Sequence, residues 1–160
     1  MPSFFIRPIE DSDRSQIAKL VEELWGSHLV VTRGQVHDAA SSLGFLAVDG
    51  QQTVGLLTLR FEGDECEILT VDAFVQGRGI GRALLEESFQ SARAKGCRRA
   101  WLITTNDNLA AIAFYQKCGM QLVAIYPDAV TEARKLKPQI PLVAENGIPI
   151  RDEVEFEVRF

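Results

Sequence analysis

The chain has 160 residues, 17 Lys and Arg against 22 Asp and Glu, a net charge of −5 and 46% hydrophobic residues. That length suits one domain, residues 1–160, with a full-sized core, and the composition excludes a disordered chain. The charge argues against general nucleic-acid binding and mildly favours cationic or amine substrates.

No apolar run approaches the roughly 20 residues of a membrane helix. Met1-Pro2-Ser3-Phe4-Phe5 lacks a basic region leading into an apolar one, so secretion is not expected. Cys66, Cys97 and Cys118 are an odd, widely spaced set without a C-x-x-C pair. Disulfide and zinc readings are both poor, no metal is expected, and a cytoplasmic location is the expectation.

Phe4-Phe5-Ile6-Arg7-Pro8 reads as an opening edge strand, with Pro8 at its end where a missing donor does least harm. Asp11-Ser12-Asp13 supplies caps for a helix, with Gln16 three residues after Asp13. Ile17, Leu20, Val21, Leu24 and Trp25 recur on one helical face, and Gly26-Ser27 ends it. A second short helix is predicted over 34–42, on a poorer pattern. The runs 44–48 and 54–60 around Asp49-Gly50 predict a β-hairpin. Glu62-Gly63-Asp64 then turns into a third antiparallel strand over 65–71.

Beyond Gly81, Leu84, Leu85, Ser88, Phe89 and Ala92 keep helical spacing, with Gly96 as the stop. The run 99–104 is the next strand. A helix links it to the strand ending at Val71, so the two run parallel. Asn106-Asp107-Asn108 offers caps for a helix carrying Ala111, Phe114, Tyr115 and Cys118, ended by Gly119. A strand over 120–126, a helix over 128–137 and an irregular stretch over 140–150 follow. In the last strand Val154, Phe156 and Val158 alternate with Glu153, Glu155, Glu157 and Arg159, which predicts one wet face. No repeats or linkers interrupt the chain.

Gln76-Gly77-Arg78-Gly79-Ile80-Gly81 joins the 65–71 strand to the long helix. Its glycines let several N–H groups approach a ligand without a Cβ in the way. The helix adds unpaired N–H groups and the positive end of its dipole, so the natural guest is a phosphate or pyrophosphate. A Walker loop would need Lys then Ser or Thr where Arg82-Ala83 stands. A dinucleotide fingerprint would need G-x-G-x-x-G directly after the strand, whereas the spacing here is G-x-G-x-G after Asp72-Ala73-Phe74-Val75.

The pattern Gln76-x-x-Gly79-x-Gly81 resembles the acyl-CoA pyrophosphate loop of the GNAT acyltransferase superfamily. Asn108-x-x-Ala111-x-x-x-Tyr115-x-x-x-Gly119-Met120 is similar to that superfamily's Asn-x-x-Ala…Tyr-x-x-x-Gly-Phe helix, with Met120 in place of the usual Phe. The resemblance covers essentially the whole chain. It implies an α+β fold, a mixed and mostly antiparallel sheet of six or seven strands flanked by helices, with a splayed parallel pair.

The resemblance also implies acetyl-CoA as cosubstrate. Main-chain groups of Gly77, Arg78, Gly79, Ile80, Gly81 and Arg82 would hold its pyrophosphate, and Gln76 would shape the loop. Unpaired groups near Leu69 and Val71 would meet the pantetheine arm, and an N–H there would polarise the thioester carbonyl. Asn108 is either a helix cap or a pantetheine contact.

Acetylation of an amine needs a neutral nucleophile, hence a base, and an acid for the departing thiolate. Tyr115 stands where the family commonly places that acid, or else it fills the core beside Phe114. Glu65 and Glu67 are read as sharing a strand face with Leu69 and Val71. Glu65 matches a position where several family members carry a glutamate base, and Glu67 lies closer to the splayed site; either is otherwise a solvated residue.

His28 and His37 are expected at the surface, and Cys118 and Trp101 in the core. Arg151, Asp152 and Glu153 either read a substrate or form a charged turn. The function implied is transfer of acetyl from acetyl-CoA to a primary amine, with a small-molecule acceptor favoured. The alternatives are a non-catalytic acyl-CoA sensor and a peptide or protein N-acetyltransferase. A homodimer pairing through the last strand is a further expectation.

Overall fold

The computed structural model of the protein describes residues 3–27 and 29–160. Met1-Pro2 and His28, on which two of the readings above rest, lie outside the described residues. The elements are β1 (Phe5–Pro8), α1 (Arg14–Trp25), β2 (Leu29–Thr32), β3 (Gln35–Asp38), β4 (Leu43–Asp49), β5 (Gln52–Glu62) and β6 (Glu65–Ala73). They continue with α2 (Ile80–Ala94), β7 (Arg99–Thr105), α3 (Leu109–Lys117), β8 (Gln121–Tyr126), α4 (Ala129–Leu136) and β9 (Glu153–Arg159). Among the described residues no helix is long and apolar enough to cross a membrane.

Seven strands form one sheet in the order β1-β4-β5-β6-β7-β9-β8. Every neighbouring pair is antiparallel except β6 and β7, the parallel pair that the intervening helix requires. Alternation along β5 splits the core. Leu57 and Leu59 join Leu84, Leu85 and Phe89 of α2, whereas Leu56 joins Ile17 and Val21 of α1. Each such fully buried side chain contributes about 1.5–3 kcal/mol. A Cβ on Gly55 would stand 2.5 Å from the Ile80 side chain. The glycine therefore lets the first turn of α2 settle on β5, which sets the position of the glycine loop.

The helix expected over 34–42 is not formed. Arg33 (φ 51°) and Gly34 (φ 75°) both adopt the left-handed conformation, a two-residue turn whose twist suits a hairpin. β2 and β3 pair antiparallel around it, with Thr32 opposite Gln35. The β-branched run Val30-Val31-Thr32 favours strand, and Ala39–Ser41 keeps a single 3-10 turn capped by Asp38.

The wet face expected on the last strand is also absent. β9 lies inside the sheet between β7 and β8, and Glu153, Glu155 and Glu157 are 3%, 7% and 6% exposed. Arg99 reaches Glu65 (2.5 Å), Glu155 (3.0 Å) and Glu157 (2.9 Å). The Tyr126 hydroxyl donates to Glu155 at 2.8 Å. The alternation marks one apolar face and one ionic face, both covered. For the same reason β9 offers no edge to a second subunit, because the free edges are β1 and β8.

Candidate active site

β6 and β7 pair only from Glu65–Arg99 to Ile68–Leu102. Beyond that, β6 continues to Ala73 against β5 and β7 continues to Thr105 against β9. The facing edges are thus unpaired from Leu69 and Ile103 onward. β6 also carries a bulge here: Leu59 pairs with Ile68 while Thr58 pairs with Thr70, leaving Leu69 inserted.

The bulge corrects the expected strand face. Cys66 and Ile68 before it, and Val71 and Ala73 after it, all belong to the α2-side core. The opposite face carries Glu67, bonded to Arg60, and then Thr70, whose hydroxyl lies 2.7 Å from that of Thr58. Glu65 and Glu67 therefore do not share a face with Val71.

At the loop, Gly79 (φ 74°) is the N-cap of α2, and no side chain caps the helix. Space is open where a Cβ on Gly77 or Gly79 would stand. Gln76 Nε2 donates to the Ala73 carbonyl at 3.3 Å. Arg78 contacts the Ser3 hydroxyl and the Asp49 carboxylate (3.1 Å), and Arg82 donates to the Lys117 carbonyl at 3.1 Å. A groove of about 630 Å³ runs from this loop past Leu69, Val71 and Asp72 to Asn108 and Tyr115. Uncapped N–H groups at a helix N-terminus, with open space before them, fit a diphosphate. The unpaired edge of β6 fits an extended, amide-bearing chain.

A second cavity, about 370 Å³, is lined among others by Val30, Thr32, Val130, Ile140 and Glu153. It shares Trp25, Leu69, Thr70, Ile103, Thr104 and Asn108 with the groove, so the two meet at the gap between β6 and β7.

Tyr115 lines the groove and packs against Phe114 and Phe156, with ring centroids 5.7 and 5.8 Å away. Burial pushes its phenol up to about 12, and the charges of Asp72 and Cys118 add to that. The hydroxyl is thus a donor at any ordinary pH. Asn108 accepts the Ala111 N–H at 3.4 Å and lines both cavities, so it is a cap that also faces the gap.

Neither predicted glutamate is among the residues lining the groove or the second cavity. Glu65 is clasped by Arg98 (2.8 Å) and Arg99 (2.5 Å). Glu67 is 3% exposed and accepts from the Thr32 hydroxyl (2.7 Å) and Arg60 Nε (2.8 Å). It is a buried, partnered residue rather than a solvated one. His37 is not at the surface either. Its Nε2 lies 3.9 Å from Glu67, and burial lowers its pKa against the pull of that carboxylate.

Residues 8–120 match the model of the Acetyltransferase (GNAT) family. The matched stretch contains the glycine loop, the parting strands and Tyr115. The chain belongs to the GNAT acetyltransferase family.

The protein YdhI of Bacillus subtilis (strain 168) is 41% identical over 152 residues, 94% of this chain and 95% of that protein. The solved IAA acetyltransferase from Bacillus cereus ATCC 14579 superposes with a TM-score of 0.75 at 25% identity, covering 99% of this chain and 100% of that one. A GNAT family acetyltransferase from Elizabethkingia anophelis, solved with acetyl-CoA bound, has a TM-score of 0.72 at 20% identity and covers 100% of both chains. That second structure shows likeness of fold alone. The mixed sheet with a parting parallel pair is the GNAT architecture expected from the sequence.

One carboxylate of this GNAT chain, Asp72, escaped the sequence reading, and a second, Glu153, was read without its place in a cavity. Asp72 lines the groove, takes a hydrogen bond from the Trp25 indole, and leaves Oδ2 buried without a partner. Burial pushes it up to about 6, with Trp25 opposing. The available signal was an acidic residue closing a buried apolar strand just before the glycine loop. Glu153 lines the second cavity, and its neighbours Arg151 and Asp152 form the charged turn, pairing with Asp128 and Asn106. Cys118 packs at the rim of the core.

Proposed function

We propose that the protein is an N-acetyltransferase that moves an acetyl group from acetyl-CoA to a primary amine by direct transfer in a ternary complex. The observation that carries this reading is the meeting of two cavities at an unpaired strand edge. The groove suits a diphosphate and an extended arm. The second cavity, about 370 Å³, is of a size for a small acceptor.

Main-chain N–H groups from Gly77 to Arg82 hold the diphosphate, Gln76 braces the loop, and Leu69, Val71 and Asn108 meet the pantetheine arm. Acetyl-CoA supplies the activated acyl group. A fixed N–H at the bulged edge of β6 aims at the carbonyl oxygen, where a preorganised dipole in a water-poor site is most effective.

The amine must be neutral to attack. Asp72 is better placed than Glu65 or Glu67 to take its proton, directly or through water. It faces the groove with one oxygen free, and at about 6 it is close to the range that suits a general base. Tyr115 donates a hydrogen bond to the departing sulfur. Its phenol, near 12, lies well above an ordinary thiol at about 8.5, so complete proton transfer would be uphill by about 5 kcal/mol. The hydroxyl therefore steadies charge on sulfur instead of surrendering its proton.

The test is thiol release from acetyl-CoA with a panel of primary amines, read beside calorimetric binding of acetyl-CoA. Thiol release and acetylated product with small amines are expected. Tight binding without release from any amine overturns catalysis in favour of a sensor. Turnover on peptides alone overturns the small acceptor.

A further inference from the structure

Two carboxylates that the transfer step leaves unused face the second cavity. Glu153, the first residue of β9, is 3% exposed, and its hydrogen bond from the Arg33 N–H is long at 3.4 Å. Asp107 also lines the cavity, and its Oδ1 is buried without a partner. The other buried glutamates of this sheet face are matched: Glu67 by Thr32 and Arg60, Glu155 and Glu157 by Arg99. Glu153 is the exception.

Burial raises the pKa of Glu153 and the charge of Glu67 adds to this, while the Arg33 N–H and guanidinium oppose. Lys137 also lines the cavity, where it donates to the Leu29 carbonyl at 2.9 Å and makes no ion pair with Glu153. Val30, Val31, Val130, Ile140 and Ile150 make the rest of the wall largely apolar. Among the described residues no cationic side chain lies within ion-pair distance of Glu153, so the Arg33 charge offsets its desolvation only in part.

A cation seated on Glu153 is not the attacking nitrogen. β9 lies beyond β7, about 4.8 Å further from the gap. A carboxylate that binds an ammonium also keeps it protonated, which opposes attack. The two demands fall on two nitrogens.

We infer that the acceptor carries a second positive charge, set apart from the acetylated nitrogen by an apolar spacer, and that Glu153 seats it. The substrate class is an aliphatic diamine. This rests on reading the second cavity as the acceptor site.

The experiment compares α,ω-diamines of four to eight carbons with monoamines of equal length, in wild type and Glu153→Gln. Two readouts are used: kcat/KM for thiol release, and calorimetric binding of each amine to the cofactor-free protein. A charge-assisted hydrogen bond corresponds to roughly 10- to 100-fold. The best diamine should exceed its monoamine by at least about tenfold in both readouts. Glu153→Gln should bring it down to the monoamine level. Equal diamines and monoamines in the wild type, or a preference that survives in Glu153→Gln, overturns the inference. If the variant does not fold, the wild-type comparison decides alone. Absence of thiol release with diamine binding intact would count against catalysis and leave the cation site standing.

Discussion

The two cavities that meet at the β6–β7 gap are built from different materials. The groove is lined chiefly by contiguous chain, Leu69 to Arg82, and by one face of α3; in the proposed reading its binding groups are main-chain N–H and carbonyl. The second cavity draws side chains from α1, β2, β6, β7, α4, the 137–150 stretch and β9, often one or two residues each. A main-chain site depends on conformation, which a short motif can specify. A side-chain site depends on which residues stand at scattered positions, and these can change without disturbing the fold. Damage to the first should abolish activity with every acceptor, and damage to the second should change which acceptor is used.

The largest effect is expected from Gly79→Val. The position needs φ 74°, and its open Cβ side is where the diphosphate would lie. A β-branched residue adds both left-handed strain, about 1–2 kcal/mol, and bulk. Acetyl-CoA affinity by calorimetry should fall at least about 100-fold, equally for every acceptor assayed, with the acceptor preference unchanged. A variant that binds acetyl-CoA normally would show that the loop is not the cradle.

Tyr115→Phe probes the groove, which Tyr115 lines without reaching the second cavity. Loss of one donor to developing charge on sulfur should lower kcat roughly 10- to 100-fold. Because the phenol is pushed up to about 12, it does not titrate below pH 10. The shape of the kcat–pH profile there should therefore match wild type. Full turnover when chemistry limits the rate would remove Tyr115 from the mechanism. Loss of an alkaline limb below pH 10 would mean that the hydroxyl ionises in the working range.

What the sequence made legible follows the same division. Gln76, Gly79 and Gly81 mark a backbone conformation, and the helix between two apolar runs requires a parallel pair, so the loop and the parting strands could both be read. The hairpin of β2 and β3 was hidden because its turn puts a non-glycine residue, Arg33, at positive φ. The Leu69 bulge leaves no mark in composition, yet it moves Val71 to the opposite face from Glu67. The glutamates of β9 look solvated by alternation alone. Their burial depends on insertion beside β7 and, for Glu155 and Glu157, on Arg99, a relation across 56 and 58 residues of chain. Glu153 was read as part of the wet face and, with Arg151 and Asp152, as either a substrate reader or a charged turn, since nothing local shows that its side chain faces a cavity.

The smallest effect separates a working carboxylate from a structural one. Asp72 sits at about 6 in the folded protein against an ordinary 3.8, because burial disfavours its charge. The native state therefore holds the proton more tightly than the unfolded chain does. Stability contributed by this group is fully present below about pH 4 and is lost as pH rises through 6. Asp72→Asn removes that loss and still accepts the Trp25 N–H. It should be more stable than wild type by about 3 kcal/mol at pH 8 and close to it near pH 4, measured by denaturant unfolding at both values. Turnover with the best amine should fall at least about tenfold, since the proton acceptor is gone. A variant both more stable and less active is what a desolvated base at the gap requires. A variant less stable at pH 8 would mean that the charge is matched by a partner and that Asp72 belongs with Glu65 and Glu67 in the architecture of the sheet.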